Sequence, residues 1–122
     1  MEPEEVVQLQ VDAFNAHDVE AFLATYAEDA VASGGDGMDA PVAGRDALRS
    51  HYARRLGQPG LRATIEQRVR LGRWVVDYEI VENDAGATAA LAVYEVEGSL
   101  IRRATIVRGP TQSRTAETPT DS

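Results

Sequence analysis

Two reactive residue types are missing from this chain of 122 residues. It contains no cysteine, which excludes thiolate nucleophiles, disulfides and metal sites with cysteine ligands. All 12 basic residues are arginine, so no lysine can form the Schiff base that attaches pyridoxal phosphate. His17 and His51 stand far apart, and there is no calcium-loop spacing and no phosphate-binding loop. We therefore expect neither a metal nor a cofactor.

Positive charge and long apolar runs are also scarce. The net charge of −8 argues against a nucleic-acid partner, because such proteins usually present a basic face to the phosphates. No apolar run approaches the roughly 20 residues that span a bilayer. The first five residues, MEPEE, are acidic where a secretory signal would be basic and then apolar. We expect a cytoplasmic protein that binds neither nucleic acid nor membrane.

Three helices are predicted in the first half of the chain. Apolar residues at three- and four-residue steps, Phe14 among them, predict an amphipathic helix over about 4–16. Asp18 is a suitable N-cap for a second helix over about 19–27, which carries Tyr26 on its apolar side. Leu48, Tyr52 and Leu56 at four-residue steps predict a third helix over 45–56.

From residue 61 onward the period of the apolar residues changes from 3.6 to 2, which predicts strands. We expect four antiparallel strands over about 61–71, 74–81, 88–96 and 100–107, and a short strand at 30–32. Residues 109–122 are rich in Thr, Ser, Pro and charge and are predicted to be a disordered tail. The plan is α+β: one domain over 1–108, in which three helices pack on a curved antiparallel sheet and leave a cavity at the wide end.

Short blocks along the chain carry a family resemblance. They read NAHD at 15–18, YAEDA at 26–30, GRDAL at 44–48, GRWVVDYE at 72–79 and VYEV at 93–96. In this order they resemble a SnoaL-like domain of the NTF2-like superfamily over about 5–108. The resemblance implies an NTF2-like cone, and it implies a homodimer, because relatives commonly pair through the outer face of the sheet.

The same resemblance bears on catalysis through ketosteroid isomerase, a distant relative. That enzyme needs a carboxylate base, a tyrosine and a protonated aspartic acid around the substrate. The resembling positions hold Gly34, Gln10, and Ala92 or Val93. Because none of these can move a proton as the originals do, we predict a small-molecule-binding domain that lacks the standard isomerase set and has a mostly apolar pocket.

The alternation of side chains between the two faces of a strand predicts which strand residues line the pocket. If Tyr78 faces the helices, Asp77 and Glu79 lie on the outer surface, because alternate strand residues point opposite ways. The same rule on the last strand places Arg103 and Thr105 inside. An inward arginine needs either a protein carboxylate or an acidic ligand group. The predicted pocket residues, around a small apolar or mildly acidic ligand, are Gln10, Phe14, Tyr26, Tyr52, Tyr78, Arg103 and Thr105.

Two other functions remain open. One is an enzyme of the isomerase or cyclase type on a hydrophobic steroid- or polyketide-like substrate. Its base would be His51, whose side chain titrates near neutral pH, or the loop residue Asp39. The other is a dimeric scaffold module whose working surface is the outer face of the sheet.

Overall fold

The computed structural model describes residues 1–34 and 40–113. Three helices pack on one face of a curved, open sheet of six strands, which confirms the predicted α+β cone. The helices are α1 (Pro3–Asn15), α2 (Val19–Leu23) and α3 (Arg45–Leu56). The strands are β1 (Tyr26–Gly34), β2 (Val42–Ala43), β3 (Arg62–Leu71), β4 (Trp74–Asn83), β5 (Gly86–Glu97) and β6 (Leu100–Ser113). None of the helices in these ranges has the length and apolarity that a membrane crossing requires.

The second helix is shorter than predicted. It begins as expected at Asp18, whose carboxylate accepts a hydrogen bond from the Ala21 N–H at 3.1 Å. It ends at Leu23 rather than near residue 27, and Tyr26 already belongs to β1. The cause is tertiary: the Ile101 N–H donates to the Thr25 carbonyl at 2.8 Å, which draws the chain alongside β6.

The corner between α1 and α2 is fastened to the start of β3. The Asn15 side chain accepts from the Ala63 N–H at 2.7 Å and donates to the Ala63 carbonyl at 3.0 Å. His17, whose positive φ of 58° makes the corner tight, places its ring Nε2 2.8 Å from the Leu61 carbonyl oxygen. These contacts fix α1 against the sheet at one rim of the cone.

The sheet is mixed rather than antiparallel. Its strand order is β2-β1-β6-β5-β4-β3, and β1 runs parallel to β6 while the other neighbours are antiparallel. Strands β3, β4, β5 and β6 follow one another through hairpins, and the turn residues of these hairpins are local sequence signals. The parallel pair joins segments about 70 residues apart, and a periodic pattern carries no sign of such a pairing.

The last strand is also longer than predicted. Residues 109–113, expected in the tail, continue β6 and pair with the start of β5, as Thr111 does with Thr88. A register shift between Thr88 and Ala90 accommodates Pro110, which cannot donate to a regular ladder. The remainder of the predicted tail, 114–122, lies outside the described residues.

A bulge in β3 reverses the face that its side chains occupy. Ile65 opposes Glu79 and Gln67 opposes Tyr78, so Glu66 is an extra residue in the ladder. An uninterrupted alternation would put Leu71 on the same face as the buried Ala63, and beyond the bulge this is wrong. Arg68 turns inward toward Asp77, whereas Leu71 is 79% exposed on the outer face.

A second bulge does the same in β6. Val96 opposes Ile101 and Glu95 opposes Arg103, which leaves Arg102 as the extra residue. Ile101 and Ala104 are both fully buried toward the helices, although an uninterrupted strand would put them on opposite faces. The two bulges therefore decide which side chains enter the cone.

Candidate functional site

A cavity of about 320 Å³ lies between the helices and the inner face of the sheet. Its wall is built from α1, α3 and the inward residues of β1 and β3 to β6. Five of the residues singled out in the sequence line it: Gln10, Phe14, Tyr26, His51 and Tyr52. The helical periodicity accounts for Phe14 and Tyr52, whereas Gln10 was predicted from the family resemblance.

Aromatic rings form one end of the wall. The Phe22 ring centroid lies 4.5 Å from that of Tyr52 and 5.2 Å from that of Tyr26. Burial raises the pKa of the Tyr26 and Tyr94 hydroxyls well above the usual value. Burial also raises the pKa of Tyr52, against the opposing charges of Arg108 and Arg55. These phenols stay protonated at neutral pH, so they can donate hydrogen bonds to a ligand.

Three of the predicted pocket residues lie elsewhere. Tyr78 is 41% exposed on the outer face, the Arg103 side chain is 65% exposed beside Glu95, and Thr105 is not part of the cavity wall. On β6 the cause is the bulge at Arg102. On β4 it is the assumed parity, because both faces of that strand carry apolar residues and the pattern alone cannot choose between them.

The inner face of β4 instead carries the acidic pair. Asp77 is 0% exposed and meets Arg68 of β3 in a two-pronged ion pair, with Nε to Oδ1 at 2.7 Å and Nη2 to Oδ2 at 2.9 Å. The second Nη of Arg68 donates to the Gln8 side-chain oxygen at 2.8 Å. This ion pair compensates the burial of the carboxylate, so Asp77 anchors β4 to β3 on the inner face of the sheet.

Glu79 is the ionisable group that the sequence reading missed. It is only 8% exposed and lines the cavity two residues after Asp77. Burial and the Asp77 charge raise its pKa to about 7, although Arg55, Arg108 and Arg68 act in the opposite direction. A carboxyl poised near neutral pH in a cavity has the properties of a general acid or base.

Two arginines also reach this cavity. Arg55 comes from α3, donates to the Gln58 side-chain oxygen at 2.9 Å, and lies 5.9 Å from the centroid of the Phe14 ring. Arg108 comes from the inner face of β6 and is exposed to solvent. We use the term cavity mouth for the part of the wall that contains these two side chains, because Arg108 there is in contact with solvent. The bulge at Arg102 turns Arg108 to the inner face of the sheet, and no local sequence pattern predicts this bulge.

One polar atom in the wall lacks a partner. The side-chain oxygen of Gln10 is buried and accepts no hydrogen bond from the described residues. Buried acceptors are nearly always satisfied, so this atom marks a point at which a bound molecule would place a donor. Gln10 occupies the position that resembles the oxyanion tyrosine of the isomerases.

Of the two predicted catalytic residues, one lies in the described part of the structure. His51 lines the cavity with its ring edge-on to Tyr52, the centroids 4.8 Å apart. Asp39 lies outside the described residues. Across the part of the chain that the structure describes, no three His, Asp or Glu side chains are grouped as metal ligands would be.

Comparison with known proteins gives a family and a fold. The sequence model of the SnoaL-like domain matches residues 7–104. No curated protein matches the chain. Among solved structures, an uncharacterised cystatin-fold protein from Novosphingobium aromaticivorans is 24% identical, with a TM-score of 0.81 over 88% of this chain and 99% of that one.

Two further solved structures are similar to this chain in fold. A putative ketosteroid isomerase from Kribbella flavida is 17% identical, with a TM-score of 0.78 over 98% of this chain and 83% of that one. An epoxide hydrolase from M. tuberculosis, similar to the LEH type, is 16% identical, with a TM-score of 0.74 over 86% and 80%. At these identities the likeness concerns the NTF2-like cone alone.

Proposed function

Since the chain belongs to the SnoaL-like domain family, we propose that it binds a small molecule with a largely apolar body inside the cone. The observation that carries the proposal is the cavity of about 320 Å³, which is lined by apolar and aromatic side chains together with convergent polar groups. Ligand pockets of about 300–1,000 Å³ typically combine these properties. The unpartnered oxygen of Gln10 and the protonated hydroxyls of Tyr26 and Tyr52 would fix the orientation of the ligand.

The test is a thermal-shift screen with steroids, polyketides and acidic lipids. A ligand that binds only the folded state raises Tm. Ala90→Leu fills the cavity and should abolish the shift, because Ala90 lies in its wall. Ala87→Leu, the same change on the opposite face of β5, is the matched control and should keep it. An equal shift in both variants would show that the ligand binds outside the cone.

A second candidate is an enzyme that transfers protons, and the position of Glu79 favours it. Its carboxyl lines the same cavity as Tyr52 and Tyr94, and its charge raises the pKa of both tyrosines. Such a pair can remove a proton next to a carbonyl while a phenol holds the oxygen. Glu79 therefore joins His51 and Asp39 as a candidate base for an isomerase or cyclase.

The probe for this second candidate is a bicyclic ketone in deuterated buffer. NMR would follow the exchange of the protons next to its carbonyl. We expect Glu79→Gln to abolish the exchange and His51→Asn to leave it within a few-fold. Loss in His51→Asn alone would return the role of base to His51, and no exchange above buffer in the native protein would remove this candidate.

We also propose a homodimer through the outer face of the sheet. Large apolar side chains are exposed together on β3, β4, β5 and β6, which supports a partner there: Val69, Leu71, Trp74, Tyr78, Leu91 and Val107. Light scattering after size exclusion should give the mass of a dimer. Leu91→Glu should yield a monomer, while Leu9→Glu, at a similarly exposed leucine on α1, should not. A native monomer would contradict the proposal.

A further inference from the structure

Two cations reach the cavity from different walls. Arg55 comes from α3 and Arg108 from β6, and both line it. Within the described residues, neither guanidinium forms an ion pair with a carboxylate. Burial and the charge of Arg108 both lower the pKa of Arg55. The cavity mouth therefore holds two like charges that repel each other, and no described carboxylate lies within ion-pair distance of either.

The wall beyond the cavity mouth suits an apolar body. It contains the side chains of Val11, Val81, Ala90 and Ile106. Phe14, over which the Arg55 guanidinium lies, joins the charged and the apolar parts. A ligand with a negative head and an apolar tail would satisfy both parts at once.

Glu79 is the carboxylate that shares the cavity with these cations. Burial and Asp77 raise its pKa, Arg55 and Arg108 lower it, and the result is about 7. An anion bound between the arginines would neutralise the charges that favour the ionised form of Glu79. It would also repel that form directly, so Glu79 would gain a proton.

We propose that the cavity mouth binds the carboxylate of an amphipathic monocarboxylic acid between Arg55 and Arg108, and that Glu79 takes up one proton from solvent as this ligand binds. The inference rests on the proposed function and adds a ligand class to it. No bond within the ligand forms or breaks.

The other charged groups that face Glu79 do not take over this proton. Arg68 on β3 and Asp77 on β4 are held in their mutual ion pair. Helix α1 contributes only uncharged side chains to the cavity wall, namely Gln10, Val11 and Phe14.

The remaining titratable neighbours are aromatic. Burial raises the pKa of Tyr26 on β1, Tyr52 on α3 and Tyr94 on β5, so these hydroxyls are already protonated at neutral pH. His51 on α3 lines the same cavity, and a variant separates its contribution from that of Glu79.

Calorimetric titration with octanoate, octanol and octylamine tests the inference on the whole protein. Octanoate should bind more tightly than octanol at pH 6, and about tenfold less tightly at pH 8 than at pH 6, because binding is linked to one proton. At pH 7.5, titrations in phosphate and in Tris should report the uptake of a proton through the different ionisation heats of the two buffers.

Four variants assign the effect to residues. Glu79→Gln should remove both the pH dependence and the proton uptake, whereas His51→Asn should keep both. Arg108→Gln should weaken octanoate at least tenfold and leave octanol unchanged. Arg54→Gln, an exposed neighbour on α3 outside the cavity wall, is the matched control and should change neither.

Each outcome has a distinct meaning. Octanol binding as tightly as octanoate, or octylamine binding most tightly, would overturn the carboxylate site and leave the proposed function standing. Retained pH dependence in Glu79→Gln would overturn the role of Glu79. Should that variant fail to fold, the proton uptake of the native protein decides the point. No binding of any of the three probes would count against the proposed function itself.

Discussion

Each face of the sheet departs in places from the usual distribution of polarity. The inner face of β4 carries Asp77 and Glu79, which are 0% and 8% exposed, while the outer face of the sheet leaves Leu71 79% exposed. Buried carboxylates are tolerated when partners compensate them, and Arg68 does so for Asp77. An exposed apolar face is tolerated in solution when something covers it. The buried charges of the inner face are therefore compensated within one chain except at Glu79, whereas the apolar side chains of the outer face stay in water unless the proposed dimer covers them.

The largest effect should come from separating the inner ion pair. Arg68→Met leaves Asp77 buried without its cation, and we expect a loss of about 4 kcal/mol in the free energy of unfolding. Urea denaturation measures it. The double variant Arg68→Met/Asp77→Leu, which removes both charges, should lose much less. Equal losses in the single and the double variant would mean that packing rather than charge holds the inner face.

Glu79 should make the protein less stable as pH rises. The folded pKa of about 7 exceeds the reference value of 4.5, so the folded state holds a proton that the unfolded state has released. Stability should fall between about pH 4.5 and 7 and level off above, a change on the order of 3 kcal/mol. Denaturation curves at pH 5 and 8 measure this difference.

The matched variant for that prediction is Glu79→Gln, which keeps the shape and removes the titration. It should abolish this part of the pH dependence and be more stable than the native protein at pH 8. An unchanged pH profile would show that Glu79 is better solvated than its burial implies. The inner face would then be less of a contrast to the outer one.

The smallest effect should come from the outer face. Leu71→Ala should change the stability of a single chain by no more than about 0.5 kcal/mol, because the side chain is already in water. The same substitution at Leu56, which is buried, should cost about 2–5 kcal/mol. If the cost at Leu71 instead grows with protein concentration, the outer face is covered in solution and the contrast belongs only to the isolated chain.

The sequence predicted the helices and strands better than it predicted which of their side chains point into the cone. Residues 45–56 form α3 as expected, because its apolar spacing and its flanking glycines Gly44 and Gly57 are local signals. The extra residues Glu66 and Arg102 have no such signal. Each of them changes which side chains face inward along the remainder of its own strand. Partners distant in sequence decide these features, and no window of neighbouring residues contains them.

The same limit explains the candidate site. Phe14 and Tyr52 were predicted because helices reveal their inward stripe, and Gln10 was predicted from the family resemblance. Glu79 was placed outside because Tyr78 was assumed to face the helices and alternate strand residues point opposite ways. Only the partner strand, with Arg68 beyond its bulge, shows that this side of β4 can hold acidic residues.

The hydrogen bonds that hold the helix corner also cover part of an exposed sheet edge. β3 is an edge strand, and an edge with free backbone groups is a template on which another chain can add. The Asn15 amide occupies both backbone groups of Ala63, and the His17 ring meets the carbonyl of Leu61. Two side chains thus occupy, at the start of this edge, the backbone groups to which an added strand would have to bind.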